Sequence, residues 1–406
     1  MIPLEEAQAR VLAACRPKAS AAVALDDALG LVLAEAVVAA DNVPPFANSA
    51  MDGFAVRAGD LADASAARPA RLRVIGTIAA GAPGLIPVGD GQAVRIMTGA
   101  PFPPGADAVA IVETTRTEGD DVLVSEPVVA GAHIRPVGED LAAGQEVFPA
   151  GVALGAGHLG VLASAGRDPV PVVPSPVVGV LSTGDELVEG SGPLQPGQIR
   201  DSNRRTLLGL LRRDGFRAVD LGIARDDEGD IRRRLEEGAQ RCDAILTSGG
   251  VSMGDFDFVK KVLDDLAAMA WMQIAIRPAK PFAFGAIGDV PIFGLPGNPV
   301  SSMVSYELLA RPGLRRMAGH PDQALHRPLI PAVADDGSLR RRADGRTNYT
   351  RVLAAVGPDG RYHVRTAGGQ ASNLLWPMAV ADALAVVPPG PGVEAGGEAS
   401  ILLLHP

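Results

Sequence analysis

Apolar residues change their spacing several times along this chain, and each change predicts a different kind of element. From Pro3 to Ala14, Leu4, Ala7, Val11 and Leu12 share one face of a 3.6-residue period, an amphipathic helix. Leu25 to Val37, Ala- and Leu-rich and broken by Gly30, predicts a second helical stretch, followed by a linker at Asn42-Val43-Pro44-Pro45-Phe46. From about Ala47 to His133 the pattern turns to short β runs separated by Gly and Pro: Gly53 to Val56, Leu72 to Ile78, Ala93 to Met97, Ala108 to Val112 and Val122 to Val124. Pro136 to Val161 then returns to a helix-and-turn pattern like the first section.

Between Pro176 and about Met317 strands and helices alternate. Val177 to Leu181, Ala218 to Ile223, Ala244 to Leu246, Gln273 to Ile276, Pro281 to Ala286 and Val290 to Leu295 read as strands. Asn203 to Arg213 and Ile231 to Cys242 read as helices, as does the run Phe258, Val259, Val262, Leu263, Leu266. Such alternation predicts a mostly parallel sheet with right-handed crossovers. From about His320 short β runs recur (Arg351 to Ala355, Tyr362 to Arg365, Ala383 to Val387, Ser400 to Leu404), a small barrel or sandwich of roughly 80 residues.

Composition narrows the function classes. At 406 residues and 47% hydrophobic, the chain is long enough for several cores. It holds no run of about 18 uninterrupted apolar residues, so no membrane span is expected. The opening MIPLEEAQARVL lacks the basic-then-apolar pattern of a signal peptide. Cys15 and Cys242 are too few for a disulfide framework or a zinc site and read as buried thiols in a cytoplasmic protein. A net charge of −10 without a basic, aromatic-studded stripe argues against nucleic acid. Lysine occurs only at 18, 260, 261 and 280, which singles out Lys280, set in a loop.

The chemistry concentrates after the strands. Ala244-Ile245-Leu246 runs into Thr247-Ser248-Gly249-Gly250, then Ser252, Asp255 and Asp257 before a helix. Paired glycines after a strand bring backbone N–H groups close to an anion. Leu181 is followed by Ser182-Thr183-Gly184-Asp185-Glu186, and Ile223 by Ala224-Arg225-Asp226-Asp227. Ligands of open α/β sheets bind outside the carboxyl ends of the strands, and converging carboxylates there call for a cation such as Mg²⁺. Taken singly, Asp226-Asp227 reads as a helix N-cap pair and Glu186 as a loop acid. Arg277-Pro278-Ala279-Lys280-Pro281 and Leu295-Pro296-Gly297-Asn298-Pro299 form a second group: Asn298 as N-cap with Pro at the first helical position, free N–H groups beyond it, and Lys280 as a point charge for phosphate. Two rigid connections are the plainer reading. Asp52-Gly53 and Thr98-Gly99 read as turns; Arg340-Arg341-Arg342, Arg346 and Arg351 as a solvated hairpin face or an anion-binding one. The six histidines show no triad-like grouping.

Together SAMDGFAV (49–56), RIMTGAP (95–101), STGDEL (182–187), TSGGVSMGDFD (247–257), RPAKPFAFG (277–285) and GLPGNPVS (294–301) resemble, in that order, the molybdopterin molybdenumtransferase family, related to the C-terminal domain of gephyrin. The resemblance implies a multidomain α/β and β protein. Its parts would be a split helical domain (1–45 and 134–175), an inserted β domain (46–133), a three-layer α/β molybdopterin-binding domain (176–319) and a C-terminal β-barrel (320–406). It implies an elongated homodimer with the active site between subunits, transient contact with the molybdopterin adenylyltransferase, and Mg²⁺-dependent insertion of molybdate into adenylylated molybdopterin with release of AMP. It implies that Glu186, Asp226 and Asp257 hold metal and pyrophosphate, that Asp52, Thr98, Asp140 and Lys280 act in the reaction, and that Arg351 and Ser372 hold molybdate. Ser248, Gly249, Gly250, Ser252, Arg277, Lys280, Pro296, Gly297 and Asn298 would bind the cofactor substrate. Two departures stand out: Gln273 where the family has a lysine, and Ala279 where it has Gly. Alternatives are an adenylyl-transferring or pterin-binding module, or a scaffold.

Overall fold

The computed structural model describes residues 1–250, 258–339 and 344–405. The chain forms two compact units, one of residues 1–21, 30–34 and 172–406, the other of residues 22–29 and 35–171.

In the first unit, helix α1 (Leu4–Ala14) starts one residue after Pro3 and buries Ala7 and Val11. In the second unit, strands β1 (Gly53–Val56), β2 (Ala70–Ile78), β3 (Gln92–Ile96), β4 (Ala108–Ile111), β5 (Thr115–Glu118) and β6 (Asp121–Val124) form one sheet in the order β4-β1-β3-β2-β6-β5. Strand β5 went unread because TRTE carries no apolar alternation; it is held as an edge strand by its ladder to β6. Beyond the sheet, residues 134–171 contribute helix α2 (Ala156–Ser164).

The helix expected over Leu25 to Val37 does not form. One 3₁₀ turn spans Leu25–Asp27, Gly30 turns with φ +79°, and two short strands follow, Val32–Leu33 paired with Val172–Val173 and Val37–Val38 paired with Glu146 and Phe148. β-Branched residues after a positive-φ glycine found partners distant in sequence, and tertiary pairing overrode local propensity.

The rest of the first unit is the α/β sheet and a barrel. Strands β7 (Val177–Thr183), β8 (Arg217–Ala224), β9 (Ala244–Ser248), β10 (Ala270–Gln273), β11 (Pro281–Ile287) and β12 (Val290–Leu295) pair in the order β8-β7-β9-β12-β11-β10. The four strands at the β8 end are parallel; β11 and β10 are antiparallel. Every residue of β9 is buried, as a strand covered on both faces requires. Helices α3 (Asn203–Arg213), α4 (Glu228–Arg241) and α5 (Phe258–Leu266) cover it with Leu207, Leu208, Leu211, Ile231, Leu235, Val259, Val262 and Leu263. Gln273 to Ile276 is not one strand: β10 ends at Gln273, and Ile276–Arg277 leaves the sheet to pair with Thr347–Asn348. Helical turns then run from α6 (Pro299–Ser305) through a π segment (Tyr306–Ala310) into α7 (Arg311–Met317).

The C-terminal part is a closed five-stranded barrel of β13 (Ile330–Ala334), β14 (Thr347–Val356), β15 (Tyr362–Thr366), β16 (Ala383–Val387) and β17 (Glu398–Leu403). Its order β14-β15-β13-β17-β16 is completed by a β14–β16 ladder, so no edge is left open. Cys15 and Cys242 are buried free thiols, and burial pushes Cys15 up to about 12. No helix among the described residues is long and apolar enough to cross a membrane.

Gly53 opens β1 where a Cβ would press into the carbonyl of Ala110 on the paired strand β4. A backbone atom inside a ladder cannot move aside as a side chain can. Gly53→Ala therefore costs about 1–3 kcal/mol, the range of an overpacked core. Thermal unfolding monitored in the second unit, against an exposed control such as Gly59→Ala, reads this; equal midpoints refute it.

Candidate active site

The direction of chain crossover reverses beside β7: α3 carries it to β8 on one side, α4 back to β9 on the other. At such a switch point the helices diverge and leave a crevice at the carboxyl ends. A cleft of about 390 Å³ lies there, lined by Ser182 and Thr183 at the end of β7 with Glu186 beyond it, by Ser248 at the end of β9 with Gly249 beyond it, and by Gly297 and Asn298 after β12. Ser182 and Ser248 are register partners, as are Ser248 and Leu295, so the sheet itself sets these ends side by side.

Asn203, at the start of α3, ties the cleft together. Its Nδ2 donates to Ser248 Oγ at 2.8 Å and to the Gly297 carbonyl at 2.6 Å. Gly249 N–H donates to the Leu295 carbonyl at 3.1 Å. Gly250 turns with φ +72° directly beneath Val259, where no Cβ fits. Behind the cleft, Asp201 accepts from Ser182 Oγ at 3.1 Å and Arg204 Nε at 2.8 Å, and the Arg204 guanidinium also pairs with Asp220 and Glu189. This buried arginine is matched by carboxylates, as desolvation demands.

Of the expected acids, Glu186 lines the cleft, with its carboxylate folded over Gly184. Asp226 sits on the neighbouring turn: its N–H donates to Asp185 Oδ1 at 3.2 Å, and Asp185 N–H reaches Asp226 Oδ2 at 3.5 Å. Asp227 caps α4, accepting from Asp230 N–H at 2.9 Å. Ser252 and Asp257, with Arg340, Arg341 and Arg342, fall outside the described residues. Among the described residues no cluster of three His, Cys, Asp or Glu side chains forms a ready metal nest.

A second cleft, about 370 Å³, shares Asn298 and Asn373 with the first. Arg277, Lys280, Arg346, Ser301, Gln370 and Ser372 line it. Ala279 holds its turn in the left-handed region at φ +73°, a strained position for a residue with a Cβ. Its methyl is buried in the core, which offsets part of that strain. Gln273 is exposed at the end of β10, and its carbonyl accepts from Ile2 N–H.

Two details depart from expectation. Asn298 occupies the N-cap position of α6 without a side-chain cap bond, and Val300 N–H is taken by the Ser372 carbonyl at 3.1 Å. The helix end thus holds the 369–373 loop as well as facing the cleft. Arg351 lines none of these walls. It is fully buried and donates from Nη2 to the carbonyls of Gly369 at 2.7 Å and Ala371 at 3.2 Å, while its backbone exchanges two bonds with the Gln370 amide. It braces the loop that presents Ser372. Among the described residues, the cations lining the cleft are Arg277, Lys280 and Arg346. Asn203, Ser301, Gln370 and Asn373 were not singled out from sequence: Asn203 stood only as the first residue of a helix, Ser301 closed the GLPGNPVS motif without a role, and Gln370 and Asn373 carry no local signal.

In the second unit, Asp52 and Thr98 meet. Asp52 Oδ1 accepts from Thr98 N–H at 2.7 Å and Thr98 Oγ1 at 2.8 Å, across the β1–β3 ladder. Asp140 lies on another exposed turn, its N–H donating to the Val43 carbonyl.

The sheet order and its crevice define the class: a multidomain protein built on an open α/β ligand-binding sheet. Sequence profiles match in chain order the MoeA N-terminal region (domain I and II) over residues 2–166, the probable molybdopterin binding domain over 179–316 and the MoeA C-terminal region (domain IV) over 339–404. The molybdopterin molybdenumtransferase of Haemophilus influenzae is 36% identical over 377 residues, 92% of this chain and 91% of that protein. That of Bacillus subtilis is 34% identical over 412 residues, 100% of this chain and 94% of that protein. The crystal structure of the molybdopterin biosynthesis MoeA protein from Pyrococcus horikoshii OT3 matches with a TM-score of 0.81 at 29% identity, covering 99% of this chain and 100% of that one. The chain belongs to the molybdopterin molybdenumtransferase family, transferases of molybdenum cofactor biosynthesis.

The Thr98 bonds, backbone first and hydroxyl second, hold the Asp52 carboxyl below its usual 3.8. A depressed carboxyl stabilises its bonded turn fully above 3.8, and that contribution fades only as pH falls through the lower folded value. The Thr98 amide resonance is expected to titrate with a midpoint below 3.8. A midpoint at or above that value sinks the assignment of the bond.

Proposed function

We propose that the protein inserts molybdate into adenylylated molybdopterin, with Mg²⁺, and releases AMP. The observation that carries this reading is the pair of clefts sharing Asn298 and Asn373, one lined by Glu186, Asp201, Arg200, hydroxyls and a glycine turn, the other by Arg277, Lys280 and Arg346. A phosphorylated pterin carrying an anhydride and a dianionic oxyanion are two ligands that such walls suit.

In the first cleft, Ser248, Gly249 and Gly297 offer hydroxyl and backbone groups to the pterin phosphates, with Asn203 holding the two loops at fixed separation. Glu186 and the Asp185–Asp226 pair are hard oxygen donors and suit Mg²⁺, with Asp257 as the further acid that the family resemblance implies. When bound there, the ion would neutralise charge developing on the departing phosphate. In the second cleft, Arg277, Lys280 and Arg346 collect molybdate, and Ser372 and Ser301 add hydroxyls. Arg351 serves by bracing the 369–373 loop. Asp52, Thr98 and Asp140 are assigned to the reaction on the family resemblance alone. We retain the four-domain division, the homodimer with its site between subunits, a cytoplasmic location and transient contact with the molybdopterin adenylyltransferase as parts of the same reading.

Two mixtures separate this activity from adenylyl transfer: molybdopterin with ATP, and adenylylated molybdopterin with molybdate. Product is expected in the second; product only in the first overturns the proposal. Glu186→Ala and Asp257→Ala are each expected to lower insertion about 100-fold or more, the scale of losing a group that stabilises developing charge. In this reading the acids share one ion and repel one another without it, so removing one relieves repulsion and melting temperatures should not fall. Parent-rate insertion by either variant refutes its metal role.

A further inference from the structure

Asp344 occupies the cations of the second cleft. Its Oδ2 lies 2.6 Å from Arg346 Nη2 and 3.2 Å from Arg346 Nε, a fork–carboxylate pair, and 3.7 Å from Arg277 Nη1. Arg346 N–H also donates to Asp344 Oδ1 at 3.2 Å. Arg346 thus spends its planar fork on a neighbour two residues away, although it lines the same wall as Lys280 and Ser372. The Arg346 bonds, first among several causes, hold the Asp344 carboxyl below its ordinary value, so it stays charged at neutral pH.

We propose that Asp344 is an internal competitor for the oxyanion: its carboxylate takes the donors of Arg346 and screens Arg277, and so sets the affinity of the cleft. This rests on the reading of the cleft as the molybdate site. A tetrahedral dianion binding between Arg277, Lys280 and Arg346 needs the same N–H groups and meets a like charge at their edge. Two effects oppose each other. The pair orients Arg346, which favours binding; the carboxylate repels the anion and must yield its donors, which disfavours it. The Arg277 side chain is 60% exposed and no deep desolvation locks the trio, so repulsion and competition outweigh the loss of one oriented side chain. A cleft trimmed from three positive charges toward two takes up a dianion and still lets it pass on.

Asp344→Asn tests this, because the amide oxygen keeps an acceptor for Arg346 and only the charge is lost. Molybdate dissociation constants by titration calorimetry are compared for the parent, Asp344→Asn, Arg346→Ala and Lys280→Ala. The expected result is about tenfold tighter molybdate in Asp344→Asn, weaker binding in Arg346→Ala, and a smaller gain from Asp344→Asn when Arg346 is already Ala, because only the screening of Arg277 and the repulsion of the anion are then relieved. Equal or weaker affinity in Asp344→Asn, while Lys280→Ala still weakens the parent, overturns the inference and leaves the site assignment standing. Molybdate binding indifferent to Lys280, Arg346 and Asp344 alike overturns the site assignment and the inference with it.

Discussion

Everything at the candidate site depends on the reversal of crossover direction in one parallel sheet. Because β8 and β9 flank β7 on opposite sides, the helices that connect them cannot close over the same end, and the carboxyl ends of β7, β9 and β12 open into a common crevice. Ladder register then does what no single loop could. It fixes Ser182 against Ser248 and Ser248 against Leu295, so groups more than forty residues apart in sequence share one wall.

Around that crevice the protein uses side chains to hold loops rather than leaving loops to hold themselves. Asn203 bridges Ser248 and the Gly297 carbonyl; Val300 N–H holds Ser372; Arg351 holds Gly369 and Ala371 from beneath. Each immobilises a segment that borders the clefts. The result is preorganisation: the walls are set before a ligand arrives, so less ordering remains to be done on binding.

Charge is distributed with the same economy. Deep arginines are answered by carboxylates, Arg204 by Asp201, Asp220 and Glu189, and Arg213 with Arg311 and Arg327 by Glu307 and Asp214. Such buried pairs fix position more than they add stability. Among the described residues, Arg277, Lys280 and Arg346 line the second cleft, beside a first cleft walled by Glu186 and Asp201 with Arg200. A chain carrying −10 overall thus keeps a local cationic wall for an anion.

What the sequence determined by itself was periodic and local. The alternation over 176–317 specified the α/β sheet, since buried strands and amphipathic helices carry unmistakable spacing, and Asn203–Arg213 and Val290–Leu295 form with the ends their pattern marks. The motifs likewise pointed to Glu186, Ser248, Gly249 and Lys280, and the family resemblance to Ser372, all of which line the clefts. Tertiary structure decided what lacks a local signal. It turned Leu25 to Val37 from helix into strands, recruited polar β5 and proline-bearing β13 to sheets, and sent Ile276–Arg277 to the barrel. It also decided which arginine faces the cleft. Arg346 and Arg351 lie five residues apart on or beside one strand, and only the closure of the barrel buries the second and leaves the first at the wall, because burial is a property of the packed whole and not of any stretch of chain.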